Sequence, residues 1–316
     1  MDRFLVWPRG WCGALLVGAR RGGAGHSYSK RVSPARHLWT LFEPLHAVTY
    51  FTAEGMEAFQ AAGFRGFWRG YFAGRSAPLG RAPASVTTAL YGNFAPQMVE
   101  RAIPSIWDLA SPEVALDARR SGSVAALTRL FGDLPGVDEA ASLLRRVAEA
   151  APTSGRALGA ANAALPWPDE PVDVLWQAAT TLRELRGDGH LAGQLAVGLG
   201  GIDTIVLRCG HDMPRDLMQL ARGWTDEEWD ASLARLQDRG LLGADGRVTD
   251  AGLDALALAE EVTDRLAQEP WDAVGPAATS RFVELATPLA AAARTELPDV
   301  TPLGLPDESA ASAPAS

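Results

Sequence analysis

The sequence predicts a mainly α-helical protein, and three observations support this fold class. Apolar residues recur three and four positions apart in segment after segment, as in helices with one buried face. Residues that begin and end helices, such as Thr225 and Gly240, bound several of these segments. The chain has 316 residues with 47% hydrophobic content, which is enough for a core and for about two domains.

Composition limits where the protein works. No run of about 18 apolar residues occurs, so we expect no membrane partner. Cys12 and Cys209 lie far apart, which excludes a disulfide framework and favours a reducing compartment. We therefore expect a cytoplasmic protein.

Charge is distributed unevenly along the chain. Residues 1–36 contain seven basic residues and one acid, whereas the whole chain carries a net charge of −9, so residues 37–316 carry −15. An acidic body repels the phosphates that dominate nucleic-acid affinity, so DNA is disfavoured as a partner.

The chain divides into five segments. Residues 1–35 form a basic arm that we expect to be disordered or to result from a misplaced start codon, and residues 297–316 form a disordered tail. Residues 36–150 form an N-terminal helical module, in which Pro44 should break or kink the first helix. Residues 151–171 contain four prolines and are interpreted as a linker to a C-terminal module over residues 172–296.

A row of glycines follows the first helices. Gly66, Gly70 and Gly74 share one face of an aromatic-rich segment, and three glycines in a helix cost about 1 kcal/mol each relative to alanine. Close helix packing is the favoured compensation, and a ligand lying against the backbone is the alternative.

The C-terminal module has the element order of a winged helix. After a turn at Arg186–Gly189 and a helix from His190, a short helix begins at Pro214. Thr225 and Glu228 form a capping box for the next helix, the Asp245-Gly246 pair is typical of a hairpin turn, and Thr249 caps a long last helix. We therefore predict a winged helix-turn-helix with a small β-hairpin wing.

The two halves resemble each other weakly. Each begins with a tryptophan-containing helix, followed by a glycine-bounded turn (Gly63–Gly66 and Gly198–Gly201) and an apolar helix. Two tandem related modules are one interpretation and chance similarity is the other.

Four segments resemble a known family. LFEPLHAVTYF, GFWRGYFAGRSAPLG, LRELRGDGH and the stretch from RGWTDEEWDASLARLQDRGLL to VTDAGLDALALAEEVTDRLAQEPW are similar to an actinobacterial helix-turn-helix family labelled SalK. The resemblance covers about residues 36–296. It implies a winged helix similar to that of the MarR (multiple-antibiotic-resistance) regulators, and it implies no particular activity.

Two polar groups in the N-terminal module are candidate ligand-binding residues. His46 and Tyr50 are one helical turn apart, and a histidine with a nearby phenol could bind or protonate a ligand. Arg69 flanks the backbone left bare by Gly66 and Gly70 and could hold an anionic group. The favoured alternatives are interior polar residues with local partners for the first pair and a solvated face for the arginine.

The densest polar cluster lies in the C-terminal module. Arg186, Asp188 and His190 follow one another at a predicted helix boundary, where Asp188 could cap the helix and His190 could pair with an acid. A capped turn with surface ion pairs is the favoured alternative. No residue is identified as catalytic.

Several kinds of site are not indicated. No HxH or HExxH spacing, P-loop or dinucleotide fingerprint is present, so neither a metal nor a cofactor is expected.

DNA contacts would come from Arg235, Arg239 and Arg247, on the capped helix and the predicted wing. Asp226–Arg239 nevertheless has a net charge of −3, which opposes entry into a groove.

We interpret the chain as a MarR-like, ligand-responsive regulator or small-molecule-binding protein with weak intrinsic DNA affinity. An enzyme that uses a His/Tyr/Arg pocket on the same scaffold and a protein–protein adaptor are the alternatives. The sequence indicates no oligomeric state.

Overall fold

The computed structural model describes residues 33–298 and residue 305, and this part of the chain forms fourteen α-helices. The first eight are α1 (Pro34–Phe51), α2 (Ala53–Ala61), α3 (Phe67–Ser76), α4 (Ala84–Tyr91), α5 (Pro96–Glu100), α6 (Pro112–Phe131), α7 (Val137–Ala150) and α8 (Ala157–Ala163). The others are α9 (Pro171–Ala196), α10 (Ile202–Cys209), α11 (Arg215–Arg222), α12 (Asp226–Asp238), α13 (Asp250–Val274) and α14 (Pro276–Arg294). The mainly α-helical prediction is therefore confirmed. None of these helices is both long and apolar enough to cross a membrane.

The expected disorder of residues 1–35 and 297–316 concerns segments that lie largely outside the described residues. Ser33 is described, and its hydroxyl caps α1 by accepting the Arg36 N–H at 3.1 Å. The same hydroxyl donates to Asp264 on α13 at 2.7 Å, which fixes the start of α1 against that helix.

Helices α1 and α9 form the centre of the molecule. Leu38 and Leu45 of α1 share a buried apolar core with Leu175 and Trp176 of α9, and α6, α7 and α14 surround them. Residues from both sides of segment 151–171 therefore share one core.

Two further cores flank this centre. Helices α2 to α6 enclose a core rich in aromatic residues, which includes Phe64, Phe72 and Trp107. Helices α10, α11 and α12 close around a smaller core that contains Leu207 and Trp229. The three short helices are thus held together by their own apolar contacts and lie beside the C-terminal part of α9.

Pro44 lies inside α1 and does not end it, so the break that the sequence offered as one of two expectations is wrong. A proline removes the N–H that would bond to the carbonyl four residues earlier. That carbonyl, on Thr40, accepts a hydrogen bond from Arg294 of α14 at 3.1 Å. A tertiary contact therefore compensates for the missing helical bond.

The turn expected at Arg186–Gly189 is also absent, because α9 continues through it. Glycines here allow close helix packing: Gly189 lies against Leu266, and a Cβ on Gly193 would come within 2.6 Å of the Ala259 carbonyl oxygen. The glycines thus mark close approach of α13 to α9.

The predicted linker at 151–171 contains α8, whose Leu158 is buried.

The predicted β-hairpin wing is wrong, because residues 33–298 contain no β-strand. A single antiparallel bridge joins Leu242 and Val248. The Val248 N–H donates to the Gly210 carbonyl at 3.0 Å, outside the hairpin. The Asp-Gly turn is present, and its flanks exchange two backbone hydrogen bonds, from Gly243 N–H to the Arg247 carbonyl at 2.8 Å and from Thr249 N–H to the Leu241 carbonyl at 3.0 Å. The pairing stops at this one bridge, so no strand forms.

The capping box at the start of α12 is confirmed and yields a stability prediction. The Thr225 hydroxyl accepts the Glu228 N–H at 3.2 Å, and the Glu228 carboxylate accepts the Thr225 N–H at 2.9 Å. Thr225→Ala should lower the free energy of unfolding by about 1 kcal/mol, as loss of an N-cap does. Urea denaturation measures this. Thr287→Ala, at an exposed site within α14, is the control, and equal midpoints for the two variants would contradict the prediction.

Candidate functional site

A cavity of about 240 Å³ lies where α1, α3 and α9 meet α10 and α11. Six arginines and two glutamates line it: Arg36, Arg75, Arg183, Arg186, Arg208, Arg222, Glu43 and Glu260. Eight aromatic residues complete the wall: Trp39, Tyr50, Phe51, Phe67, Trp68, Tyr71, Tyr91 and Phe94. Such a combination of positive charge and flat apolar surface is the most unusual feature of the described chain.

The aromatic wall is built mainly from α3. Phe67 and Tyr71 are one turn apart and their rings stack with centroids 6.2 Å apart. Tyr71 also contacts Phe94 at 5.6 Å and Tyr50 of α1 at 5.0 Å. These contacts fix the ring planes at one end of the cavity, which we call the aromatic end.

A buried carboxylate orients two of the arginines. Glu184 of α9 accepts hydrogen bonds from Arg75 at 3.1 and 3.0 Å and from Arg183 at 2.7 Å. Burial alone would raise the pKa of Glu184, but the charges of Arg183 and Arg75 outweigh it and lower the pKa to about 2. Arg183 also lies 3.4 Å from Glu43. Glu184 is therefore ionised and keeps both guanidinium groups at the aromatic end.

A third arginine reaches the aromatic end from α11. Arg222 is buried, with its guanidinium carbon 4.6 Å from the centroid of the Phe94 ring. Burial, together with the positive charges of Arg75 and Arg183, lowers the pKa of Arg222 to about 10. Burial is the main cause of this shift, and the guanidinium groups of Arg75 and Arg183 add to it.

The two N-terminal candidates have different positions. Tyr50 lines the cavity, and burial raises its pKa. His46 lies behind it, 2% exposed, with its Nδ1 3.0 Å from the Thr180 hydroxyl. Burial, then the charge of Arg183, lowers the pKa of His46 well below 6.5, so this histidine is neutral.

The glycine face does not border the cavity. A Cβ on Gly70 would lie 3.1 Å from the Phe59 side chain, so α2 packs against this face. Gly66 is the N-cap of α3 with a φ of 92°, a backbone conformation that favours glycine. Arg69 is on the same helix, and none of these three residues lines the cavity.

The polar cluster of α9 faces two directions. Arg186 lines the cavity with its guanidinium carbon 4.8 Å from the Trp39 ring centroid, and it pairs with Asp264 at 3.3 Å. Asp188 faces away and accepts the Gly159 N–H of α8 at 2.8 Å. Burial, the largest effect, raises the pKa of Asp188 to about 6. Asp188 therefore caps α8 and not the helix in which it lies.

His190 lines the cavity as a hydrogen-bonded neutral ring. The Thr263 hydroxyl donates to the Ala259 carbonyl at 2.7 Å, so it accepts from His190 Nδ1 at 3.0 Å. Nε2 then accepts from the Gln194 amide at 2.7 Å. Burial lowers the pKa of His190, in agreement with the neutral form. Both ring nitrogens are engaged, so His190 is poorly placed to act as a base.

Two of the three candidate DNA-binding arginines bond to other residues of the protein. Arg235 pairs with Asp203 of α10 at 2.7 Å, and Arg239 donates to the Gly198 carbonyl at 2.8 Å. Arg247 is exposed. The Asp226 side chain is 80% exposed, so α12 presents negative charge to solvent.

The three short helices α10 to α12, packed around a common core, are the element order of helix-turn-helix proteins. A sequence profile described as a helix-turn-helix family matches residues 35–298, most of the chain, and the protein belongs to that family. No curated protein and no solved structure matches the chain. Among the described residues, no group of three or more His, Cys, Asp or Glu side chains could hold a metal ion.

The sequence-based candidates therefore include only part of the cavity. Tyr50, Arg186 and His190 line it, whereas Arg222 and Tyr91 were not among the candidates. Arg222 belongs to α11 and reaches the aromatic end only because α11 folds back towards α3. No short-range spacing relates it to Arg75 or Arg183, so no pattern in the sequence indicated this group.

Removal of the buried carboxylate should be strongly destabilising. Glu184→Gln leaves Arg75 and Arg183 without their shared charged partner in a buried site, and such losses lower stability by about 3 to 5 kcal/mol. Chemical denaturation followed by circular dichroism measures this. Glu149→Gln, which disrupts an exposed pair with Arg145, is the control and should have a much smaller effect. A small loss of unfolding free energy in Glu184→Gln would mean that water screens the ion pairs of Glu184 with Arg75 and Arg183.

Asp188 should make stability depend on pH. Because its pKa is raised on folding, the folded state holds this proton more tightly than the unfolded state, and stability falls as pH rises from about 4 to about 6. Asp188→Asn keeps an oxygen for the Gly159 N–H and removes the titration. The difference in unfolding free energy between the variant and the unaltered protein should therefore grow in the variant's favour over that range. A constant difference for Asp188→Asn over that range would contradict the pKa shift.

Proposed function

We propose that the protein binds a small planar aromatic anion in the arginine-rich cavity, and that this ligand controls the helix-turn-helix segment α10–α12. One observation is the main support: the guanidinium groups of Arg75, Arg183 and Arg222 converge beside the aromatic wall. Guanidinium groups beside flat aromatic rings are suitable partners for an aromatic carboxylate.

The cavity volume limits the size of the ligand. Sites for drug-sized molecules typically measure about 300 to 1,000 Å³. A volume of about 240 Å³ therefore suits a molecule of one or two rings.

The physical chemistry favours an aromatic carboxylate over a neutral molecule. Guanidinium groups bind carboxylates through short, charge-assisted hydrogen bonds, and they also stack on aromatic faces. Inside the protein these interactions are screened less than in water. Arg222 beside Phe94 offers both kinds of contact at one place.

The cavity also connects two parts of the fold. Met218 and Arg222 of α11 and Thr204 of α10 face residues of α3 and α9 across it. A ligand that touches both sides favours the arrangement in which they are close, and a ligand shifts a conformational equilibrium by its differential affinity for the two states. This is the basis for proposing ligand control.

The other interpretations have weaker support. Direct DNA contact through α12 is unfavourable because the exposed acids of that helix would repel phosphate groups. Arg235 and Arg239 also bond to the protein itself. An enzyme would need an available acid or base in the cavity, but His46 lies behind the wall and both nitrogens of His190 are hydrogen-bonded. Ligand binding is therefore the function that the geometry supports best.

The proposal predicts charge-dependent binding of 2-naphthoate, measured by isothermal titration calorimetry. The neutral isostere 2-naphthamide should bind at least about tenfold more weakly, because it lacks the charge that pairs with arginine. Arg222→Met should weaken naphthoate binding by about tenfold or more. Arg215→Met, on the exposed side of the same helix, is the matched control and should bind like the unaltered protein. Equal affinities for the acid and the amide would contradict the proposal.

A further inference from the structure

The cavity continues beyond His190 into a smaller chamber of about 100 Å³ between α9, α10 and α13. The two spaces share six lining residues, namely Arg36, His190, Gln194, Thr204, Arg208 and Glu260. We call these six residues the collar. A ligand whose ring lies at the aromatic end would therefore direct its opposite end towards the collar.

Thr204 is the notable residue of the collar. It is 7% exposed, and its hydroxyl has no hydrogen-bond partner among the described residues. The same holds for the Nε of Arg186, which lines the cavity next to the collar. Buried polar groups are normally hydrogen-bonded, and leaving one unpaired is unfavourable. Both groups can donate to an acceptor that lies in the cavity.

Charge distinguishes this end of the cavity from the aromatic end. Arg36 lies 3.5 Å from Glu260, Arg186 lies 3.3 Å from Asp264, and Arg208 bonds to Asp212 at 2.7 Å. Three arginines therefore face three carboxylates. Glu260 would repel a second carboxylate on the ligand, because the arginines here are already paired with carboxylates. A neutral acceptor would not be repelled.

We propose that the collar and the adjacent Arg186 form a second subsite, in which Thr204 and Arg186 donate hydrogen bonds to a neutral acceptor at the far end of the ligand. The ligand class is then an aromatic monocarboxylate with an amide, ketone or hydroxyl group opposite the acid. This inference rests on the proposed function, because it assumes that the carboxylate lies at the aromatic end. The stacked rings at the aromatic end and the unpaired donors near the collar set the orientation of the ligand.

Three sets of probes test the subsite at three ligand lengths. The monoacids are benzoate, 2-naphthoate and 4-biphenylcarboxylate. The second set has a carbamoyl group opposite the acid, and the third has a second carboxylate there. At the length that spans the site, the carbamoyl acid should bind about fivefold to tenfold more tightly than its monoacid, the value of one neutral hydrogen bond. The diacid should bind more weakly than the carbamoyl acid.

Thr204→Val tests the residue itself. Valine keeps the shape of threonine and removes an unpaired hydroxyl, so the variant should fold, and circular dichroism verifies this. It should lower the gain from the carbamoyl group, measured as the ratio of carbamoyl-acid affinity to monoacid affinity within the variant. Thr181→Val is the matched control, because Thr181 is also buried with an unpaired hydroxyl but lines neither space. It should leave the gain intact.

The outcomes separate this inference from the proposed function. If no monoacid, carbamoyl acid or diacid binds, the proposed function is wrong and the subsite with it. If monoacids bind but no carbamoyl acid binds more tightly at any length, the subsite alone is overturned. The subsite would also be overturned if the carbamoyl gain were undiminished in Thr204→Val, or if the diacid bound more tightly than the carbamoyl acid.

Discussion

The ionised carboxylate of Glu184 is the constraint on which the cavity depends. It lies near the middle of α9, 2% exposed, and an unpaired charge there would be prohibitively unfavourable. Arg75 provides two of its hydrogen bonds and belongs to α3, so the ion pair fixes α3 against α9. The aromatic residues of α3 then face the space between these helices. Burial of one charge thereby determines which face of another helix forms the cavity wall.

The same network explains why the two ends of the cavity differ. At the aromatic end, Glu184 is shared between Arg75 and Arg183, so one carboxylate compensates more than one guanidinium. At the collar, Arg36 and Arg186 pair with acids from α13. The arginines at the aromatic end therefore lie beside stacked rings, whereas those at the collar lie beside acids of α13. The proposed anion site and the proposed hydrogen-bonding site thus lie within one continuous space.

Local patterns predicted the helices well where local forces decide the structure. The capping box at Thr225 is such a case, because both of its hydrogen bonds join residues three apart. Predictions failed where distant residues decide: Arg294 bonds the carbonyl left free by Pro44, and the predicted hairpin is reduced to a single bridge whose outer N–H, on Val248, bonds to Gly210. For the same reason the candidate site was found only in part. Arg186 and Tyr50 belong to polar clusters visible in sequence, whereas Arg222 depends entirely on how α11 packs.

The positions of the arginines in α10 to α12 connect family membership with the proposed ligand. Proteins that bind DNA need positive charge on the outer face of the helix that enters the groove. Here Arg208 and Arg222 line the cavity, and Arg235 pairs with Asp203 within the helix-turn-helix segment. The outer face of α12 presents acids such as Asp226. Two arginines of this scaffold thus face the cavity, as the proposed binding of a small anion requires, while the exposed Arg215 and Arg235 pair with acids.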